Sequence, residues 1–89
     1  MERSKIAIII PAYNEEKTIK NVIEKVKLYG CPIIIDDCST DKTKKIAKLN
    51  NVIVISNKKN IGYEKSLKKG FEFALRKKFD FFITIDGDN

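Results

Sequence analysis

Histidine and tryptophan are absent from this 89-residue sequence, and it has only two cysteines and two prolines. Without histidine, Ser–His and Cys–His nucleophilic catalysis is excluded and a zinc site is disfavoured. Cys31 and Cys38 are too few for a disulfide framework and lack the spacing of a CxxC pair. We therefore expect them to be reduced, small apolar residues.

Long hydrophobic runs are also missing. No apolar stretch approaches the ~20 residues that a membrane span needs. The first five residues lead straight into a predicted strand, unlike a signal peptide. We therefore expect a cytoplasmic protein whose contact with membranes is at most peripheral.

Arginine is scarce, since Arg3 and Arg76 are the only two, and the net charge of +6 comes almost wholly from lysine. The lysines fall on the predicted outer faces of helices, mixed with acids, and no alternation of aromatic and basic residues suggests base stacking. We expect a solvated surface and no nucleic-acid partner. With 43% hydrophobic and 34% charged residues, residues 1–89 are predicted to form one soluble globular domain.

The sequence is centred on the segment from residue 33 to residue 43. Residues 33–35 are three isoleucines, typical of a strand buried on both faces of a parallel sheet. Asp36 and Asp37 follow where the strand should end. Residues 39–41 are all good helix N-caps, and a helical pattern begins at Lys42. Open α/β sheets present polar groups to ligands through this arrangement of strand, turn and helix.

Strands and helices alternate along the rest of the chain. Apolar runs predict further strands at residues 5–10, 52–55 and 80–85, the first of them ended by Pro11. Helical periodicity predicts a helix capped by Asn14 with Ile19, Val22, Ile23 and Val26 facing the core. It predicts a second, short helix with Ile46, Ala47 and Leu49 facing inward, and a third from Tyr63.

This alternation predicts an α/β fold with an open, mainly parallel sheet. The first strand is expected at the centre, with the second and third on one side and the fourth on the other. Segment 80–85 would then lie at an edge of the sheet, with no proline or lysine and a single charge. Such an edge recruits further strands, so we expect a complementary chain or self-association through this strand.

Three of the four predicted strands end in polar segments, at residues 11–15, 36–37 and 86–88. In a parallel sheet these segments lie along one edge, where crowded carboxylates repel one another. A divalent cation relieves that repulsion, and oxygen ligands without histidine favour Mg²⁺ or Mn²⁺. The alternative is that Asp-Gly-Asp is an ordinary turn, that Asp36–Asp37 is a solvated turn and that Tyr13 is a loop aromatic.

Four segments resemble the motifs of the family 2 glycosyltransferases, in order and spacing. They are IIIPAYNEE at residues 8–16, IDDCSTDKT at 35–43, NIG at 60–62 followed by Gly70, and DGD at 86–88. The likeness is closest to the polyprenyl (dolichyl) phosphate sugar synthases. It covers the whole chain but only the amino-terminal half of the family's catalytic domain. It implies the Rossmann-like, donor-binding half of a GT-A-type nucleotide-diphospho-sugar transferase.

The resemblance also implies a ligand, a UDP- or GDP-sugar, and a set of site residues. Nucleotide contacts carried over from relatives fall on Pro11, Tyr13, Glu15, Ile35 and Asp37. The D-x-D motif implies that Asp86 and Asp88 hold the metal and the diphosphate, with Gly87 lending a backbone contact. Asn60 and Gly62 are better explained as shaping the turn before the third helix. Ser66 replaces a common alanine, which we expect to be without consequence.

Relatives have further functional residues that this sequence does not match. They place another metal ligand shortly after the D-x-D motif and an acidic catalytic base in a later, acceptor-binding half. The expected function is therefore binding of a nucleotide sugar with a divalent metal, for transfer to an acceptor such as a polyprenyl phosphate. The alternative is a catalytically incomplete fragment or a nucleotide-binding regulatory module without turnover. A phosphoacceptor receiver domain is excluded. In a receiver domain the acidic pair follows the first strand, whereas in this sequence it follows the second.

Overall fold

The computed structural model describes residues 5–87. In that part of the chain, strands and helices alternate as the sequence predicts. Their bounds are Ile6–Ala12 (β1), Ile19–Val26 (α1), Cys31–Asp36 (β2), Thr43–Leu49 (α2), Ile53–Ser56 (β3), Tyr63–Arg76 (α3) and Phe81–Thr84 (β4).

The strands form one parallel sheet in the order β3-β2-β1-β4. The register pairs Ala12 of β1 with Asp36 of β2, and Asp36 with Ser56 of β3. On the other side, Ile9 of β1 pairs with Thr84 of β4. The expected fold class and strand order are confirmed. Because β1 to β3 end level with one another, the loops that follow them lie side by side.

Both faces of the sheet are covered. On one face, Ile8, Ile10 and Ile34 pack against α1 and α2. On the other, Ile9 and Ile35 pack against α3. These side chains are almost completely buried, which explains why β1 and β2 are continuous apolar runs rather than alternating ones.

Helix α1 begins later than predicted. Its first residue is Ile19, and Thr18 occupies the N-cap position. The expectation that Asn14 caps this helix is wrong, because the Asn14 side-chain oxygen accepts N–H groups from the loop after β2 instead. Residues 15–18 form a separate turn, in which the Glu15 carbonyl accepts the N–H groups of Thr18 and Ile19. The predicted core stripe of α1 is nevertheless buried as expected.

Two other predictions need correction. Strand β1 does not end at Pro11 but continues to Ala12. In α2, Leu49 is 73% exposed rather than facing inward. The helix begins at Thr43, so its buried stripe runs through Thr43 and Ala47, and Leu49 falls outside that stripe.

Strand β4 lies at one edge of the sheet in the described part of the chain, where its only strand neighbour is β1. All four of its residues are exposed, including Phe81 at 57% and Ile83 at 44%. Phe82 makes an edge-to-face contact with Phe71 of α3, with ring centroids 5.9 Å apart. Within residues 5–87, no helix combines the length and apolar character that crossing a bilayer requires.

Candidate functional site

A pocket of about 300 Å³ opens at the carboxyl edge of the sheet, between the ends of β1, β2 and β4 and the start of α3. It is lined by Pro11, Ala12, Tyr13, Glu15, Asp37, Tyr63, Ser66, Asp86 and Gly87. Three carboxyl groups and two tyrosines therefore share one cavity. This is the position at which open α/β sheets bind ligands.

The pocket brings together most of the residues proposed from the sequence: Pro11, Tyr13, Glu15, Asp37, Asp86 and Gly87. Ile35 does not line it, because its side chain is completely buried against α3. Asp88 lies outside the described residues. The site can therefore be described apart from the second acid of the D-x-D motif.

The two acids at the end of β2, Asp36 and Asp37, have different surroundings. Asp37 lines the pocket, whereas Asp36 is 2% exposed and is not among the lining residues. One Asp36 carboxylate oxygen accepts the Ser39 N–H at 3.4 Å. Its other oxygen has no hydrogen-bond partner within residues 5–87. Among the two, only Asp37 is placed to contact a ligand in the pocket.

The Asp37 carboxylate is held by the loop between β3 and α3. Its Oδ1 accepts the Ile61 N–H at 2.8 Å and the Asn57 side-chain amide at 2.9 Å, and its Oδ2 accepts the Gly62 N–H at 2.9 Å. Burial alone raises the pKa of Asp37. The hydrogen bonds from Ile61, Asn57 and Gly62, with the charge of Lys69, outweigh burial and hold that pKa below its usual value of 3.8. Asp37 is therefore an ionised acceptor at neutral pH.

Gly62 has a backbone φ of 94°, which side-chain-bearing residues rarely adopt. This conformation directs its N–H to Asp37, while its carbonyl accepts the Ser66 N–H in the first turn of α3. The Asn60 side chain donates to the Asp37 carbonyl at 3.3 Å. These contacts agree with the expectation that Asn60 and Gly62 shape the turn.

The loop after β1 is fixed by the loop after β2. The Asn14 N–H donates to the Ser39 hydroxyl oxygen at 2.9 Å, and the Asn14 side-chain oxygen accepts the Thr40 N–H at 2.8 Å. The Glu15 N–H donates to the Thr43 hydroxyl oxygen at 2.8 Å. Tyr13 and Glu15 are the neighbours of Asn14 in the loop that these hydrogen bonds hold, and Glu15 makes one of them itself. Their backbone positions therefore depend on the loop after β2.

The segment after β4 is tied to both of its neighbours. The Thr18 hydroxyl donates to the Gly87 carbonyl at 2.8 Å, and the Tyr63 hydroxyl donates to Asp86 Oδ1 at 3.2 Å. Burial and the charge and hydrogen bond of Asp86 raise the pKa of Tyr63, so Tyr63 stays a neutral donor. This places the Asp86 carboxylate at the pocket between α3 and the loop after β1.

Sequence reasoning missed two lining residues with polar side chains, Tyr63 and Ser66. Both lie in the first turn of α3, which begins at the carboxyl edge of the sheet. Their positions could have been inferred from that rule, because a helix that follows a parallel strand starts beside the ligand-binding edge. The Ser66 hydroxyl oxygen also accepts a hydrogen bond from Asn57 at 3.1 Å, so the serine is part of the site's hydrogen bonding.

The chain is similar in sequence to known proteins. The chain is 45% identical over 89 residues to an uncharacterized protein of Methanocaldococcus jannaschii, covering 90% of this chain and 38% of that protein. It is 36% identical over 102 residues to the UDP-N-acetylglucosamine–dolichyl-phosphate N-acetylglucosaminyltransferase of Methanococcus voltae, covering 93% of this chain and 41% of that enzyme. The chain thus spans about two-fifths of the length of these relatives.

A similar solved structure is glucosyl-3-phosphoglycerate synthase from Mycobacterium tuberculosis in complex with UDP. It has a TM-score of 0.78 and 26% sequence identity, covering 97% of this chain and 34% of that chain. The complex of the same enzyme with Mn²⁺, UDP and glucosyl-3-phosphoglycerate has a TM-score of 0.76, also at 26% identity, covering 94% of this chain and 33% of that one. Residues 7–89 match the sequence model of glycosyl transferase family 2. The chain therefore belongs to glycosyl transferase family 2.

Proposed function

We propose that this chain binds the nucleoside diphosphate of a UDP- or GDP-sugar, in the pocket at the carboxyl edge of the sheet. The observation that carries this proposal is the convergence on one cavity of Pro11, Tyr13, Glu15, Asp37, Asp86 and Gly87. An ionised, oriented Asp37 suits the N–H of a base or a ribose hydroxyl, and the Tyr13 ring offers a stacking surface.

We propose that Mg²⁺ or Mn²⁺ binds with the diphosphate through Asp86 and Asp88. The donor chemistry fits, because Asp86 and Glu15 bring hard oxygen ligands to the pocket and the chain has no histidine. Within residues 5–87, no group of three acidic or sulfur side chains forms a cage by itself. That suits a cation held by one or two carboxylates, with water and phosphate completing its shell. A bound cation neutralises negative charge on the diphosphate leaving group.

The wider activity that we propose is sugar transfer to an acceptor such as a polyprenyl phosphate. It is supported by the similarity to the Methanococcus voltae enzyme, whose name states a dolichyl-phosphate acceptor. Because this chain spans only part of such relatives, the acceptor site and the catalytic base are not assigned to any of its residues.

Metal-dependent binding is the direct test of the proposed site. Calorimetric titration with UDP and with GDP should show tighter binding when Mn²⁺ is present. Asp86→Asn or Asp88→Ala should remove that gain, about tenfold for one charge-assisted contact, and leave binding of free uridine or guanosine unchanged. Exposed Asp80→Asn serves as the control for loss of one acidic charge. If neither UDP nor GDP binds when metal is present, the proposed function is refuted for this chain.

We also propose that β4 is covered by a complementary chain or a second copy of this one. Its exposed Phe81, Phe82 and Ile83 and its unpaired edge favour strand addition. The 89-residue chain is therefore expected to self-associate in sedimentation experiments, and Thr84→Lys should shift it toward monomer. Asn21→Lys on α1, which adds the same positive charge at an exposed position away from β4, is the control. A stable monomer at high micromolar concentration, unchanged by Thr84→Lys, would contradict this.

A further inference from the structure

Asn57, which follows β3, is a buried residue that links Asp37 and Ser66 of the pocket to Lys69, an exposed residue of α3. Its side chain is 4% exposed. Its amide nitrogen donates to Asp37 Oδ1 at 2.9 Å and to the Ser66 hydroxyl oxygen at 3.1 Å. Its amide oxygen accepts the Lys69 ammonium at 2.8 Å. All the hydrogen-bonding groups of this amide are thus engaged, at the back of the proposed nucleotide site.

The orientation of the Asn57 amide is dictated by its partners. Lys69 can only donate and an ionised Asp37 can only accept, so the amide oxygen must face Lys69 and the nitrogen must face Asp37. If the amide were reversed, its oxygen would oppose the carboxylate and its NH₂ would oppose the ammonium. Lys69 and Asp37 therefore favour the same orientation of the Asn57 amide, and Lys69 reinforces the donor that Asn57 presents to Asp37.

We propose that Asn57 and Lys69 are positioning residues that hold Asp37 in its nucleotide-binding orientation. The inference rests on the proposed function and extends it to two residues that touch no ligand. Neither lines the pocket, so their effect passes through Asp37. The Ser66 hydroxyl oxygen accepts the second hydrogen of the Asn57 amide.

Asp37 has few free acceptor positions left for a ligand. Its Oδ1 already accepts two hydrogen bonds and its Oδ2 accepts one, from Gly62. A carboxylate oxygen accommodates about two such bonds, so Oδ2 keeps one position open. Asn57 and Ile61 on Oδ1 and Gly62 on Oδ2 together fix where that open position points, and Asn57 is the side-chain donor among them. Rotation of the Asp37 carboxylate would point the open acceptor position of Oδ2 in another direction.

The charged and titratable groups around Asp37 come from every neighbouring element. Lys69 on α3 is hydrogen-bonded to Asn57, and its positive charge lowers the pKa of Asp37. Tyr63 of the same helix lines the pocket. Glu15 after β1 and Asp86 after β4 are the acids that share the pocket with Asp37. Asp36 precedes it in β2, and its carboxylate accepts the Ser39 N–H instead. Lys69 is the one cation of this set.

Asn57→Asp tests the relay from Lys69 through Asn57 to Asp37 by replacing the donor with an acid of nearly the same shape. At neutral pH the introduced carboxylate opposes Asp37, so the Kd for the nucleotide should rise about tenfold or more. As the pH falls from about 8 to about 5, the introduced acid takes up a proton and offers an O–H donor, and affinity should recover. Protonation of the diphosphate itself affects the wild type and the variant alike, so the readout is the ratio of their two Kd values. That ratio should fall toward one as the pH falls, because wild-type Asp37 remains ionised. A purely structural role would give the variant no such recovery.

Lys69 provides a second test with a matched control. Lys69→Met should weaken nucleotide binding about threefold to tenfold, and Lys69→Arg should restore it, since only one donor is needed. Lys68→Met removes an equal charge from an exposed neighbour on the same helix and should have no effect. Circular dichroism identifies which variants fold, and Lys69→Met remains informative if Asn57→Asp does not fold.

A ligand-free measurement separates failure of this inference from failure of the proposed function. The carboxyl carbon shift of Asp37 in NMR should titrate below 3.8 in the wild type and at higher pH in both Asn57→Asp and Lys69→Met. If the wild type binds neither UDP nor GDP with Mn²⁺, the proposed function fails. If it binds, the relay is overturned by a pH-independent ratio of the Asn57→Asp and wild-type Kd values, or by equal affinities of Lys69→Met and Lys68→Met.

Discussion

Asp37→Ala is expected to abolish measurable nucleotide binding, raising the Kd about a hundredfold, and to lower the free energy of unfolding by about 3 kcal/mol. Binding is lost because the variant removes the ionised acceptor in the pocket. Stability falls because the N–H groups of Ile61 and Gly62 and the amide of Asn57 all lose their shared acceptor. Free nucleoside should be affected as strongly as the diphosphate, unlike in the metal-site variants.

The pH dependence of stability provides an independent check on Asp37. Its folded pKa lies below the usual 3.8, so its contribution is complete above the unfolded pKa and is lost as pH falls through the folded value. Asp37→Ala should therefore lack this component of acid destabilisation below about pH 4. Exposed Glu72→Ala on α3 is the control, expected to alter neither binding nor stability. Wild-type affinity in Asp37→Ala would eliminate Asp37 as a ligand-binding residue.

Gly70→Ala is expected to destabilise the fold by about 2 kcal/mol, although alanine is the better helix former. A Cβ at this position would lie 2.4 Å from Cγ2 of Ile9, a completely buried residue of the central strand. Helix α3 would have to move away from the sheet. Tyr63 and Ser66, which line the pocket, belong to this helix and would move with it. Nucleotide affinity should therefore fall together with stability.

A double-mutant cycle tests the cause of this loss. Ile9→Ala removes the clashing atom and by itself costs about 2–5 kcal/mol through the cavity that it leaves. Combined with Gly70→Ala, it should be less destabilising than the sum of the two single changes, because the new methyl group fills that space. Additive free energies of unfolding from denaturant titration would show that the contact with Ile9 is not the reason that glycine occupies this position.

The hydrogen bonding of the site makes the loops after neighbouring strands interdependent. The loop after β1 is held by side chains of the loop after β2, which itself presents Asp37 to the loop after β3. The segment after β4 is tied to Thr18 and Tyr63. A substitution in one loop is therefore expected to shift pocket-lining residues in the next. For this reason we expect residues that do not line the pocket, such as Asn14 and Asn57, to influence it.

Much of the fold was predictable because its determinants are local. Runs of β-branched residues marked β1 and β2, and the period of Ile19, Val22, Ile23 and Val26 marked the buried face of α1. The start of α1 was not predictable in the same way. Asn14 has the chemistry of an N-cap, but whether it caps its own helix or another loop depends on which loop lies beside it.

The sequence by itself determined that strands and helices alternate, that the sheet is parallel, and that acids collect at its carboxyl edge. Hydrophobic periodicity and residue type report local burial, and these features follow from local burial. The family resemblance already pointed to Asp37 rather than Asp36, but only the tertiary structure decided that Asn57 and Gly62 hold Asp37 and that Tyr63 reaches Asp86. Those contacts join residues about twenty or more positions apart. They depend on strand order and register, which bring separate loops within hydrogen-bonding distance and leave no periodic trace in the sequence.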